Sequence, residues 1–324
     1  MIYLYYLQVL IFGQLNHNVS CEKVQKMGIW MSDHDDFLRQ VEHTWRVGLI
    51  GNPVAHSFSP RFQQAAFNAL QIPARYELWP TPAEQLIERI RSLCEEDCLG
   101  ANVTIPYKEA VLPLLDKVDP LATRIGAVNT IVRQDDYLCG YNTDAMGLLY
   151  ALYEEGLGER SETGQISLAG YTLILLGAGG AARGAAFALA QANIDRLIIL
   201  NRHLERAQLL AAEVQQVYEG PIFCLNDASF LIPHGNSIII NATSLGLHGD
   251  VSPLPAEILD RFDSDTFVYD MIYNPSQTYL LCQARIMGLR VANGLSMLLH
   301  QGALAFNLWT KHPAPLDVMR AALL

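Results

Sequence analysis

Short apolar runs alternate along the chain with stretches whose apolar residues recur every three to four positions. The runs Arg46–Ile50, Arg75–Trp79, Leu99–Thr104, Gly126–Val132, Leu173–Leu176, Leu197–Leu200, Pro221–Leu225, Ser237–Asn241, Thr266–Met271 and Arg290–Ala292 predict strands. Between them, Phe62, Ala65, Ala66, Ala69 and Leu70 share a helical face, and Leu86, Ile87, Ile90 and Leu93 share another. Further helices are expected over Ala145–Glu155, the Ala-rich segment after Gly177, Pro275–Met287, Leu295–Trp309 and Pro315–Leu323. Strand and helix taking turns predict an α/β fold with parallel strands. One exception is local. The polar Arg133–Asp136 turn joins Gly126–Val132 to Tyr137–Tyr141 as a hairpin.

The punctuation between elements is informative. Ser59 followed by Pro60 reads as a helix start, and Ser57 and Ser59 together form a pair of hydroxyls that could bind a carboxylate. Thr81 and Glu84, three apart and flanking Pro82, fit a capping box. Asp144 fits an N-cap, and Gly156 closes the helix it starts. Asn102 and Thr104 stand at one strand end, Asn129 and Thr130 lie in another strand, and Asn241-Ala242-Thr243-Ser244 closes a third. C-terminal strand ends are the ligand edge of an open α/β sheet. Ile105-Pro106-Tyr107-Lys108 is expected to open a helix. That would put the Lys108 cation at the positive helix end and lower its pKa, as a proton-transfer group requires.

The most specific local pattern is Gly177-Ala178-Gly179-Gly180-Ala181-Ala182, after an apolar run and before the Ala-rich segment. Gly177, Gly179 and Ala182 fit G-x-G-x-x-G/A in the strand–turn–helix context that a dinucleotide-binding turn demands. The next strand ends at Asn201-Arg202, with Arg206 one turn on. A carboxylate there would bind a ribose 2′-hydroxyl; guanidinium groups suit a 2′-phosphate, so NADP is favoured over NAD.

Length and composition fit this picture. The 324 residues suffice for two domains, and 51% hydrophobic with 17% charged residues suits large cores. A net charge of −11 argues against non-specific nucleic-acid binding. The six cysteines show no zinc-type spacing and look like reduced thiols of a cytoplasmic protein; no metal is expected. Met1–Phe12 is apolar but too short for a membrane span, and lacks a signal-peptide n-region. Residues 1–43 read as an extension outside the fold. The composition break is consistent with initiation at Met27 or Met31.

Taken together, the segments resemble the shikimate dehydrogenase family. The resemblance is carried by His56-Ser57-Phe58-Ser59-Pro60, Gly100–Lys108, Gly126–Thr130, Asn142-Thr143-Asp144, Gly177–Ala181, Asn201-Arg202, Asn241–Ser244, Tyr269–Tyr273 and Gly294–Gln301. It covers Trp45–Leu324. It implies a substrate-binding α/β domain over 44–147, completed by helices in 296–324, and a Rossmann-like NADP domain over 148–295. The implied reaction is reversible reduction of 3-dehydroshikimate to shikimate with NADPH, on the pathway to chorismate and aromatic amino acids.

Under that resemblance Lys108 is the acid that protonates the ketone oxygen. Asp144 binds a substrate hydroxyl and pairs with Lys108. Ser57 and Ser59 match the carboxylate-binding hydroxyls, and Asn102, Thr104, Asn129, Tyr273 and Gln301 the other substrate contacts. Gly177, Ala178, Gly179, Gly180, Ala181, Asn201, Arg202, Arg206, Thr243, Met271 and Gly294 match the cofactor side. The expected partners are the small-molecule substrate and a second copy in a homodimer, with neither nucleic acid nor membrane. Four residues depart from the family pattern. His203 stands where a threonine is usual, Ala145 replaces a glycine, and Asn293 and Ser296 replace Asp and Gly.

Overall fold

The computed structural model describes Leu38 and residues 43–324. Apart from Leu38 and His43, the expected extension, with Met27 and Met31, lies outside the described residues. The chain divides into two compact units. One comprises the described residues through Thr143 with Gln301–Leu324; the other is Asp144–His300.

The first unit starts with β1 (Trp45–Gly51), α1 (Ser59–Ala69), β2 (Ala74–Pro80), α2 (Leu86–Arg91) and β3 (Cys98–Val103). It continues with β4 (Lys117–Val118), α3 (Pro120–Ile125), β5 (Thr130–Gln134) and β6 (Tyr137–Tyr141). The sheet order is β2-β1-β3-β5-β6-β4. β1 pairs in parallel with β2 and β3, whereas β5 is antiparallel to both β3 and β6. This sheet is therefore mixed, with the expected hairpin at β5/β6. Ile50, Val103, Ile131 and Val128 lie in one buried cluster with Leu86, Ile90 and Leu93.

Four local expectations are corrected here. α3 was not anticipated. Asp119 caps it through bonds to the Leu121 and Ala122 amides, Pro120 follows, and Gly126 ends it at φ 70°, so β5 begins at Thr130 rather than Gly126. The capping box does not form. Thr81 Oγ1 donates back to the Trp79 carbonyl, a short 3₁₀ turn covers Ala83–Gln85, and α2 starts only at Leu86. Ser59 is the first residue of α1 instead of its cap, which is Phe58. No α-helix follows Ile105. Residues 105–111 form turns, and a 3₁₀ turn covers Leu112–Leu114. Pro106 and Pro113, neither with an N–H to donate, bracket the segment, and its backbone bonds close single turns, from the Tyr107 amide to the Thr104 carbonyl and from the Leu112 amide to the Glu109 carbonyl. The helix-end argument for Lys108 therefore lapses.

The second unit begins with α4 (Asp144–Glu154) and a small hairpin, β7 (Glu159–Arg160) and β8 (Ile166–Ser167). β9 (Thr172–Leu176), α5 (Gly180–Ala190), β10 (Arg196–Leu200), α6 (Leu204–Val214) and β11 (Ile222–Leu225) follow. Then come β12 (Ser237–Asn241), α7 (Ala256–Leu259), β13 (Phe267–Asp270), α8 (Tyr279–Ile286) and β14 (Arg290–Asn293). All six long strands are parallel, in the order β11-β10-β9-β12-β13-β14. This is the doubly wound order of a dinucleotide-binding sheet, with the chain reversing direction between β9 and β12. α8 is shorter than expected, because Thr278 caps it and Pro275 stays outside.

α9 (Leu295–Thr310) and α10 (Leu316–Leu323) close the chain. α10 packs on α1 in the first unit. In the same unit the Trp309 indole N–H donates to the Ile131 carbonyl at 2.9 Å.

Candidate active site

In the first unit a hydrogen-bonded network joins residues far apart in sequence. Ser57 Oγ donates to Ser59 Oγ at 3.2 Å and accepts the Ser59 amide at 3.2 Å. The Tyr76 hydroxyl donates to Asn102 Oδ1 at 2.7 Å. Asn102 Nδ2 donates to the Asn129 carbonyl and to Thr130 Oγ1, both at 3.2 Å. Asn129 Oδ1 accepts the Thr143 amide at 2.8 Å, and Asn129 Nδ2 reaches Thr143 Oγ1 at 3.0 Å and Gln301 Oε1 at 3.4 Å. Asn102, Asn129 and Gln301, all singled out from the sequence, thus share one network, while Ser57 and Ser59, also singled out, bond each other. Ser59, Asn102, Asn129, Thr143 and Gln301 are buried.

Thr104 and Lys108 lie on the turn segment beyond β3, both half-buried. The Thr104 amide bonds the Ile50 carbonyl at 2.9 Å, and the Lys108 carbonyl accepts the Val128 amide at 2.8 Å. The backbone under both side chains is thus tied to the sheet. Tyr76, Thr130 and Thr143 belong to the network but carried no role in the sequence reading. An aromatic residue inside a strand reads as core, and its hydroxyl leaves no periodic signal. Burial drives the Tyr76 phenol well above its ordinary pKa, so it remains a protonated donor.

In the second unit the glycine turn leaves β9 with Gly177 at φ +109°. A Cβ there would stand 3.0 Å from Thr243 Cγ2 and 3.3 Å from the Ala242 carbonyl oxygen, so the turn passes closely against the loop after β12. Gly179 caps α5, and nothing lies within 4 Å of where its Cβ would be. Gly179, Gly180 and Ala181 are exposed, Ala178 half-buried, and Ala182 buried. Open amides at a helix start between β9 and β12 match what a pyrophosphate needs. Asn201 follows β10 and donates to the His203 carbonyl at 2.7 Å, while Arg202 and Arg206 are exposed.

The loops after β12 and β13 are joined by a buried carboxylate. Asp270 accepts from Thr278 Oγ1 at 2.6 Å, Asn241 Nδ2 at 3.0 Å and the Ile272 amide at 3.0 Å. Asn241 Oδ1 in turn accepts the Thr243 amide and hydroxyl, at 3.0 and 2.7 Å. Burial pushes the Asp270 carboxyl up, and its three donors pull it back. Asp270, a charge at the end of an apolar strand, was a signal in the sequence that received no role. Met271 is half-buried beside Gly294, where a Cβ would stand 2.2 Å from the Met271 carbonyl oxygen. Tyr273 is half-buried, and burial raises its phenol. Asp144 opens α4 as its first residue. Asn293 Oδ1 accepts the Leu295 amide at α9, and Ser296 lies 3.4 Å from the Tyr269 hydroxyl, so both unusual residues make local packing bonds. Among the described residues no cluster of three or more His, Cys, Asp or Glu could hold a metal, and no helix is long and apolar enough to cross a membrane.

Family models match three parts of the chain. The shikimate dehydrogenase substrate binding domain matches 49–131, shikimate/quinate 5-dehydrogenase matches 160–246, and the shikimate 5′-dehydrogenase C-terminal domain matches 294–324. A shikimate dehydrogenase (NADP(+)) of Symbiobacterium thermophilum is 40% identical over 284 residues, covering 86% of this chain and 93% of the relative. The chain belongs to the shikimate dehydrogenase family. A second shikimate dehydrogenase (NADP(+)), from Moorella thermoacetica, is 44% identical over 281 residues, covering 85% and 91%. Among solved structures, shikimate 5-dehydrogenase of Thermus thermophilus, in complex with NADP(H) and shikimate, aligns with a TM-score of 0.74. It has 37% identity and covers 86% of this chain and 98% of that one. The two α/β units of this shikimate dehydrogenase family member are thus a substrate-binding domain and a Rossmann-like domain.

Proposed function

We propose that this chain is an NADP-dependent shikimate dehydrogenase, reducing 3-dehydroshikimate to shikimate reversibly. Family membership over most of the chain supports the reaction class. The observation that carries the substrate assignment is the network of Asn102, Asn129 and Gln301 together with the Ser57–Ser59 hydroxyl pair. It offers hydroxyl and amide groups suited to a ring carrying one carboxylate and several hydroxyls.

Ser57 and Ser59 would hold the carboxylate. Asn102, Thr104, Asn129, Gln301 and Tyr273 would hold the ring hydroxyls. NADPH, when bound, supplies a hydride to the ketone carbon. Lys108 gives its proton to the ketone oxygen and its charge stabilises the developing alkoxide. Asp144 directly follows Thr143, whose amide and hydroxyl are tied to Asn129, and would bind a substrate hydroxyl. The Gly177–Ala181 turn would take the pyrophosphate, Asn201, Arg202 and Arg206 the adenosine 2′-phosphate, and Thr243, Met271 and Gly294 the nicotinamide side. Arg202 and Arg206 after β10, with no carboxylate at the strand end, support NADP.

A cytoplasmic location is supported by the cysteine usage, and a homodimer is the expected assembly. Light scattering on the purified chain tests the latter. Initial rates with shikimate and with quinate, each against NADP⁺ and NAD⁺, test the function. Turnover should be fastest with shikimate and NADP⁺; no turnover with that pair would refute the assignment.

A further inference from the structure

Tyr76 stands on the edge strand β2, yet it is only 6% exposed, and its hydroxyl ends on Asn102, one of the proposed substrate residues. A phenol has one hydrogen to give. Tyr76 gives it to Asn102 Oδ1 at 2.7 Å. The Asn102 amide is oriented by the same bond, because accepting at Oδ1 leaves Nδ2 to face Asn129 and Thr130. Trp309, whose ring centroid lies 6.2 Å from that of Tyr76, helps hold the phenol in place.

We propose that Tyr76 is a positioning residue for substrate binding, fixing the orientation of the Asn102 amide. The proposal rests on the reading of Asn102 as a substrate contact. Tyr76 itself need not touch substrate. Its hydroxyl ties β2 to Asn102 of β3, two strands that are not neighbours in the sheet. A role confined to stability would lower the melting temperature and leave the Michaelis constants alone. A positioning role separates the two substrates instead.

The test compares wild type with Tyr76→Phe, which keeps the ring and removes the hydroxyl. Wild-type turnover of shikimate is measured first, so that failure of the functional assignment is seen separately. In the variant, KM for shikimate should rise about tenfold, as expected when a buried acceptor loses its partner, with KM for NADP⁺ unchanged and kcat within about threefold. An unchanged KM for shikimate, or an equal rise in both constants, would overturn the proposal. Should Tyr76→Phe not fold, 3-fluorotyrosine placed at position 76 of the full chain gives a second readout. Its ¹⁹F resonance should shift on adding shikimate and not on adding NADP⁺; no shift with shikimate, or the same shift with both, overturns the proposal.

Discussion

Trp309 can seat against the first unit's sheet only because residue 100 is a glycine. A Cβ on Gly100 would stand 2.9 Å from the Trp309 indole nitrogen and 2.1 Å from the Ile131 carbonyl oxygen that the indole bonds. The backbone there is also at φ +144°, a conformation that L side chains rarely adopt. Gly100→Ala should therefore cost about 3 kcal/mol or more, through strain and loss of the α9 contact. Gly184, within α5, is the internal control. Nothing lies within 4 Å of its Cβ position, so Gly184→Ala should stabilise by about 0.5–1 kcal/mol. Urea melts of the two variants should move in opposite directions.

Lys108 provides the chemical test. Its backbone is tied through its carbonyl to the Val128 amide, so truncating the side chain leaves the turn in place. Lys108→Ala should lower kcat by about 100-fold or more, the usual worth of a positioned acid. Shikimate should still bind, read by quenching or calorimetry with NADP⁺ absent. A variant that keeps most of its kcat would remove Lys108 from the proton-transfer role.

These residues also show how far the sequence carries. Periodicity and strand-end chemistry led to both sheets and to the glycine turn, because each leaves a local pattern. Ser57 and Ser59 stood out as paired hydroxyls at a helix start, and Asn102 and Asn129 because polar groups break an apolar run. The network joining Asn102, Asn129 and Gln301 was not legible. The Asn129–Gln301 bond spans 172 positions, and Tyr76 joins it through one atom of a residue that otherwise packs as core. The missed helix α3 carries its signal in Asp119-Pro120 and Gly126, but six residues are too few for a helical period to show. The capping box failed in the opposite way. Its pattern was present, but the Thr81 hydroxyl donates back to the Trp79 carbonyl instead of accepting a helix amide.

Arg202 bears on cofactor choice. It is exposed after β10, with His203 where the family pattern has threonine. A charge-assisted bond to a 2′-phosphate is worth more than a neutral one, so Arg202→Ala should raise KM for NADPH about tenfold. KM for NADH and for 3-dehydroshikimate should stay within about twofold. His203→Thr should sharpen the preference for NADP. Equal losses with both dinucleotides would place Arg202 outside the phosphate contact.

Asp97 makes the acid limb of stability testable. Arg46 donates to it twice, Nε to Oδ2 at 2.7 Å and Nη2 to Oδ1 at 2.9 Å, and Arg46 also pairs with Glu95. These bonds, then the guanidinium charge, hold the Asp97 carboxyl below its ordinary value of 3.8 in the folded chain. In the unfolded chain it takes up its proton near that ordinary value. Between the two values the unfolded state binds more protons, so stability falls as pH drops through that window and is fully present above it. Asp97→Asn removes this contribution at every pH. The stability difference between wild type and variant should be constant from about pH 5 to pH 7 and shrink below about pH 4. Urea melts at intervals from about pH 2.5 to pH 7 measure it across the window where the carboxyl titrates. A difference that holds constant down to the lowest pH would mean that the Arg46 bonds do not depend on the Asp97 charge.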